Sequence, residues 1–537
     1  MLNFWKIRRS TRSNLVARSA AAKRHLRFES LETRQLLSAS GDFNGDGLTD
    51  LAIGSPGLTS GSATDAGAVS IIYGQNGTGL TTANNQLWTM SRPGMVGGTQ
   101  AGDAYGSALA IGDFNGDGYT DLAVGLPGRN AIVPLGTAGS VPTVIGGVRV
   151  GVLKSVGAVS IIYGSPTGLV PTGSQFFTQT SLFPLTTLVS GTEFGYSLTT
   201  GDFNGDGYAD LAIGAPFMTV NGVQKAGAVY VIFGSSNGLE SSDPQIITQH
   251  AGGILGTPSQ GAAFGQALTT ADFNLDGYAD LAIGAPTAPR GGSVNVIYGD
   301  STGLPSAGNQ IWQPGIGGVK LSANIYDKFG WSLAAGDFNG DFIPDLAIGA
   351  PGALVGNASA GAVTVLFGSL AGDGLVSKNN QLLTRTSLGS TSAAGDQFGY
   401  SLAVGYFNGD TFEDLAIGTP FAGVNGVKDA GLVQIVYGSN TGPTATGTVT
   451  MTEATPTAGY DFGTSITTGD YNGDGFYDIS VGIPHQSFGT ILNVGAVQTD
   501  YGSTTGIIKK NQQLWRFGLL GLQGTATAGS LFGSSTT

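Results

Sequence analysis

The chain contains no cysteine. Within its 537 residues, disulfide staples, thiolate metal sites and cysteine nucleophiles are therefore excluded. Histidine is almost as scarce. His25, His250 and His485 are the full set, and none is followed by glutamate, so there is no paired-histidine zinc helix. No apolar run approaches the ~20 residues that a membrane-crossing helix needs. Charge is also sparse, at 11% of residues, and it is unevenly spread. Residues 1–39 hold nine Lys/Arg against Glu29 and Glu32. From residue 40 on there are 14 basic and 34 acidic residues, a formal −20. A body that acidic repels phosphate backbones, which argues against a nucleic-acid partner, and it suits a protein that takes up cations.

What is abundant is glycine, 91 residues, beside a 41% hydrophobic content. That combination excludes simple disorder and fits many short strands joined by tight turns. Two regions are expected. Residues 1–39 are rich in Arg, Ser and Ala, and read as a disordered targeting or processing segment. This segment lacks an apolar stretch of signal-peptide type, and Arg8-Arg9 is at most a partial twin-arginine signal. Residues 40–537 are repetitive.

The repeat is seen by aligning on Asp42-Phe43-Asn44-Gly45-Asp46-Gly47-Leu48-Thr49-Asp50 and the apolar run after it. Six more copies start at Asp113, Asp202, Asp272, Asp337, Tyr406 and Asp470, at steps of 71, 89, 70, 65, 69 and 64 residues. Each unit predicts four short strands: an aromatic-Gly strand such as Phe194-Gly195-Tyr196-Ser197-Leu198, then the loop, then Leu211–Pro216, then the β-branched Gly227–Gly234, then a weaker outer strand. The fold class is all-β: a seven-bladed β-propeller of four-stranded antiparallel blades. The aromatic-Gly pair lies eight residues before the loop in copies two to seven, at Tyr105, Phe194, Phe264, Phe329, Phe398 and Phe462. Before the first loop that place is Arg34, and the missing pair stands instead at Phe532-Gly533. The propeller is therefore expected to be closed by the C-terminal strand pairing into the first blade, which leaves no open blade edge. An open array or two separate modules is the alternative.

The loop places oxygen donors at positions 1, 3, 5 and 9, with the position 7 carbonyl as a fifth. Three carboxylates plus neutral oxygens suit Ca²⁺, which takes six to eight oxygen ligands. Six complete sets are predicted metal sites. They are Asp42, Asn44, Asp46, Leu48 and Asp50; Asp113, Asn115, Asp117, Tyr119 and Asp121; Asp202, Asn204, Asp206, Tyr208 and Asp210. The others are Asp272, Asn274, Asp276, Tyr278 and Asp280; Asp337, Asn339, Asp341, Ile343 and Asp345; and Asp470, Asn472, Asp474, Phe476 and Asp478. In the remaining copy Tyr406 replaces the first Asp, so that loop is expected to be weak or empty. Asp-Gly and Asn-Gly are also ordinary turn formers, but six copies keeping all four ligand types argue against turns alone. An EF-hand is excluded because position 12, for example Val124, lies in a strand and is not Glu. The ligand positions of the loops hold 20 of the 36 acidic residues, so cation binding is expected to couple to folding.

These loops, with the flanking Phe-Gly and the Gly-Ala-Pro at Gly214-Ala215-Pro216, Gly284-Ala285-Pro286 and Gly349-Ala350-Pro351, resemble the FG-GAP repeat of the integrin α-subunit propeller over roughly residues 40–537. The resemblance implies calcium loops on one face, ligands on the opposite face, and an extracellular or cell-surface setting. Leu31-Glu32-Thr33-Arg34-Gln35-Leu36-Leu37 resembles the LEPR-x-LL element of exported bacterial surface proteins, with Thr33 in place of Pro, which implies export.

Calcium reads as structural, with no catalytic and no other cofactor-binding residues assigned. The favoured function is a calcium-binding adhesion or ligand-binding scaffold with a protein or glycan partner. The alternatives are an extracellular carbohydrate-active lyase or hydrolase, or a purely structural surface component. Between Pro127 and Gly157 about twenty extra residues, including Arg129, Val141, Ile145, Arg149, Val150 and Lys154, form a candidate ligand loop. Trp88, Trp312 and Trp515 share one register and are expected to pack between blades. Trp331 is expected in the core, and His250 and His485 are without an assigned partner.

Overall fold

A computed structural model describes residues 41–145, 148–184, 188–519 and 521–537. The expectations placed on residues 1–39, including the export element and His25, lie outside the described residues. Among the described residues no helix is long and apolar enough to cross a membrane.

The protein is an all-β, seven-bladed β-propeller. Seven four-stranded antiparallel sheets follow one another, and in six of them the strands stand in sequence order from the inside out. Blade 3 shows the pattern. Leu198–Gly201, Asp210–Ala215, Ala228–Phe233 and Glu240–Ile247 pair in turn, with Leu198 opposite Ile213 and Ile213 opposite Tyr230. Blade 1 is assembled from both ends of the chain. Its sheet runs Ser535–Thr536, Leu51–Ser55, Ala68–Tyr73, Thr81–Trp88, with Ile53 opposite Thr536 and Gly54 opposite Ser535.

The second and third strands of each blade are buried along their whole length or nearly so, on both faces. The reason is that the core lies between blades. Phe114, Val159 and Ile161 of blade 2 pack with Leu211, Ile213 and Tyr230 of blade 3. In the same way Leu51 and Ile53 of blade 1 pack with Tyr471, Val497 and Trp515 of blade 7 and with Phe532. Strands buried on both faces read as continuous apolar runs, which is why the alternation of a half-exposed sheet is missing there. The outer strands are not weak throughout. Leu375–Leu383 runs nine residues, and several others carry a register shift where they bend away from the blade.

Two glycines per repeat hold the blades together. A Cβ on the glycine of each Leu-Ala-Ile-Gly-type strand would lie well inside 3.0 Å of the carbonyl oxygen of the next blade's aromatic-Gly glycine: Gly214 against Gly265, Gly482 against Gly533, Gly54 against Gly106. Only glycine allows that approach. Further links recur. Ser197 donates to the Gly265 carbonyl at 2.7 Å, Ser465 to Gly533 at 2.9 Å and Ser535 to Gly106 at 2.6 Å. Outer-strand glutamines reach the next blade in the same manner, Gln86 Nε2 to Leu169 O and Gln513 Nε2 to Leu80 O. The seventh sheet thus meets the first through the contacts that join the other neighbours.

The blade 2 insertion is not an irregular loop. It folds into its own three-stranded sheet, Ala131–Val133, Val148–Leu153 and Val141–Ile145 in spatial order. It leaves blade 2 after Leu126, at the end of that strand remote from its acidic loop.

Candidate functional site

The acidic loops join the first and second strands of blades 2 to 7 and lead into the second strand of blade 1, so all seven lie at the same end of the sheets. Their backbone is set by their own side chains. In the first loop Asp42 Oδ1 accepts from the amides of Gly45 and Asp46 at 2.6 and 3.0 Å, and Oδ2 from Gly47 at 2.8 Å. Asn44 Oδ1 accepts from Asp46 N, and Asp46 Oδ1 from Leu48 N. Asp50 is buried, with Oδ2 on the amide of Phe43 and Oδ1 on that of Gly74. The loop starting at Asp113 repeats this set bond for bond.

Burial is the main force on the ninth position. It pushes the carboxyl of Asp210 up to about 7, of Asp50, Asp121, Asp280 and Asp478 up to about 8, and of Asp345 up to about 9, against the pull of two backbone amides. The two other aspartates of each loop push the same way, and no cationic side chain offsets them. In kind, the donors fit a hard divalent cation. Their amide bonds hold them apart, however, and among the described residues no three Asp, Glu or His groups converge at metal-ligand distance.

The loop at Tyr406 differs as its sequence suggests. Asn408, Asp410 and Asp414 keep their bonds, but the first position carries a phenol in place of the carboxylate that accepts amide bonds elsewhere. Its ring instead meets Tyr477 of the next loop, 6.0 Å between centroids.

Two features of the loops escaped the sequence reading. The seventh residue contributes its side chain as well as a carbonyl. Tyr119 covers Gly45 of the preceding loop, Tyr208 covers Gly116, Tyr278 covers Gly205, Phe412 covers Gly340, Phe476 covers Gly409 and Leu48 covers Gly473. At the corresponding positions Leu275 stands in place of the glycine and Ile343 in place of the aromatic. The loops are also tied by backbone. The carbonyl of each first residue accepts from the amide of the next loop's eighth residue, as in Thr120 to Asp42, Ala209 to Asp113 and Thr49 to Asp470, at 3.0 to 3.2 Å. Pro344 lacks that amide. The sequence signal was there, an aromatic at position 7 paired with Gly at position 4, but it becomes visible only when consecutive loops are read as neighbours.

At the opposite end of the sheets, an axial cavity of about 290 Å³ is lined by the starts of the inner strands of all seven blades, from Ala108 and Leu198 round to Ile466 and Ser535. Near it the structure corrects two expectations. Trp331 is half-buried, not core. Its ring lies 5.5 Å from that of Tyr400, and Lys328 Nζ sits 4.6 Å over it. His485 does have a partner: its Nδ1 is 2.8 Å from Asp461 Oδ2, which raises the imidazole above its ordinary value. Trp88 and Trp515 are buried between blades, and Trp312 is half-buried with its Nε1 on Gln310. On the insertion, Val141, Val144, Ile145 and Val148 are exposed. Arg129 is drawn inward to the buried Asp103 at 2.8 Å.

The sequence model of the FG-GAP repeat matches seven times, at residues 37–72, 105–143, 194–232, 264–298, 329–366, 398–436 and 462–498. Phosphatidylinositol-glycan-specific phospholipase D of Bos taurus is 38% identical over 183 residues, 33% of this chain and 21% of that protein. Integrin alpha-PS2 of Drosophila melanogaster is 32% identical over 282 residues, 50% of this chain and 17% of that protein. The alignments thus span about a fifth of those relatives. Among solved structures, a rhamnogalacturonan lyase of Bacillus licheniformis aligns over 90% of this chain and 74% of its own at 13% identity and a TM-score of 0.34. An exotype rhamnogalacturonan lyase aligns over 93% and 83% at 12% identity and 0.37. At those scores the likeness carries no argument.

Proposed function

The chain is an FG-GAP repeat protein, and from that premise we propose that it is an extracellular or cell-surface ligand-binding scaffold whose loops take up Ca²⁺ for structural purposes. One observation supports the cation most. Each of six loops brings a buried carboxylate within electrostatic reach of two more, with no positive group to balance them. The holders would be the aspartates at positions 1, 5 and 9 and the asparagine at position 3, from Asp42 to Asp478, with the position 7 carbonyl. The ion supplies charge neutralisation. The loop at Tyr406 lacks the first carboxylate.

Calorimetric titration of the chelated protein tests this: about six sites are expected, and about seven after Tyr406→Asp. A chain with no calcium uptake, and the same melting temperature in chelator as in millimolar calcium, sinks the reading. The ligand-binding part rests on the repeat family and on the axial cavity, with a protein or glycan as partner. A second reading, a carbohydrate-active enzyme, has the His485–Asp461 pair in its favour. Release of reducing or unsaturated ends from a polysaccharide panel would put it first. The exported setting and the division at residues 39 and 40 belong to the same proposal, tested by N-terminal sequencing of secreted material.

A further inference from the structure

We propose that the face remote from the acidic loops carries a binding site for a neutral pyranose-containing glycan, formed at the mouth of the axial cavity by Trp331, Tyr400 and Phe421 with Asp461 and His485. This deepens the ligand-binding reading above and rests on it.

The three rings form a continuous angled wall. Trp331 and Tyr400 are 5.5 Å apart and inclined at 49°, and Tyr400 and Phe421 are 5.9 Å apart at 84°. All three are half-buried, and Tyr400 lines the cavity beside Ser332, Ser401 and Ser465. These serine hydroxyls already donate to carbonyls of the next blade, so they shape the wall without competing for a ligand. Next along the rim, the Asp461 carboxylate bonds His485 Nδ1, which leaves the ring's Nε2 as a second polar atom. Burial raises the Tyr400 phenol, and the field of Asp461 reaches it and adds to the rise. Gln486 is held by the buried Glu453 at 2.9 Å.

The charges select the ligand. Lys328 already occupies the cation site over Trp331, and its like charge opposes a cationic group there. Asp461, within an acidic body, opposes an anion. What suits apolar ring faces beside fixed donors and acceptors is an uncharged molecule with one apolar face and a rim of hydroxyls, which is the chemistry of a pyranose ring.

The full chain is to be titrated in millimolar calcium against galactan, mannan, xylan and a β-glucan, with polygalacturonate and polylysine as charged comparators. Tryptophan fluorescence and affinity electrophoresis are the readouts. At least one neutral polymer is expected to bind, with affinity falling ~10-fold or more in Trp331→Ala and in Tyr400→Ala, and only in part in Trp331→Phe. The melting temperatures of the variants show that they are folded. Should Trp331→Ala melt early, Trp331→Gln and Tyr400→Leu carry the comparison. Preference for either charged polymer, no binding to any neutral one, or neutral binding indifferent to both rings overturns the site. A protein ligand that binds with those variants unaffected also overturns it, while leaving the scaffold reading in place.

Discussion

A methyl group on Gly214 would meet the Ser197 hydroxyl and the carbonyl oxygen of Gly265 in the next blade, and the backbone carbonyl cannot turn aside as the side chain can. Gly214→Ala is expected to cost about 1–3 kcal/mol through overpacking. At Gly423 the same methyl would meet only the Val427 carbonyl, at an ordinary contact distance of 3.6 Å, and φ is not left-handed, so Gly423→Ala is expected to stay within ~0.5 kcal/mol. Denaturant melts of the two variants side by side check this. Glu453 offers a second residue-scale prediction. Burial pushes its carboxyl up to about 7, and its Oε2 is buried without a partner. Because the folded value is raised, the stability linked to its protonation is fully present below about 4.5 and is lost as pH climbs through about 7. Glutamine keeps an oxygen for Gln486 and never ionises. The melting temperature of Glu453→Gln relative to the parent should therefore rise between pH 5 and pH 8. His485, whose imidazole is raised by its bond to Asp461, is common to both proteins and cancels in the difference. A constant difference would show that the carboxylate is solvated at neutral pH.

Among the elements, the two-residue C-terminal strand is one of the smallest and the most consequential. Ser535–Thr536 makes only two paired positions with Leu51–Ser55, yet Phe532 and Gly533 supply the contacts that Gly482, Gly495 and Ser465 of blade 7 require. Removal of residues 532–537 opens a buried strand edge and bares the surface between blades 1 and 7. It is expected to lower the melting temperature by several degrees and to produce concentration-dependent association in gel filtration. The loops are elements of a different sort. Their ligand pattern was legible in the sequence because each loop is local, nine residues closing on themselves through Asp42-type amide bonds. Their interlocking through Tyr119 over Gly45 was not, because the two residues are 74 positions apart and belong to different repeats. The insertion was legible as extra length. Its folding into a separate sheet depends on pairing Val148–Leu153 with strands on both sides.

At the scale of the whole molecule, charge and architecture bear on each other. From residue 40 on the formal charge is −20, and 20 acidic residues stand at the ligand positions of loops gathered at one end of the sheets. In chelator, that concentration of like charge should make stability depend on salt. Raising ionic strength from ~10 mM to ~150 mM shortens the Debye length from about 30 to 8 Å and should raise the melting temperature of the chelated protein more than that of the calcium-loaded one. Equal salt responses would mean that the loops carry no excess charge to screen.

The seven repeats, the four strands of each, the exceptional loop at Tyr406 and the displaced Phe532-Gly533 pair were all fixed by the order of residues, since each is a local pattern repeated at a readable spacing. Which glycines are indispensable, how loops lock onto their neighbours, and the meeting of Trp331 with Tyr400 and of His485 with Asp461 were decided only by the tertiary structure. Those contacts run between blades, and a repeat read by itself contains one side of each.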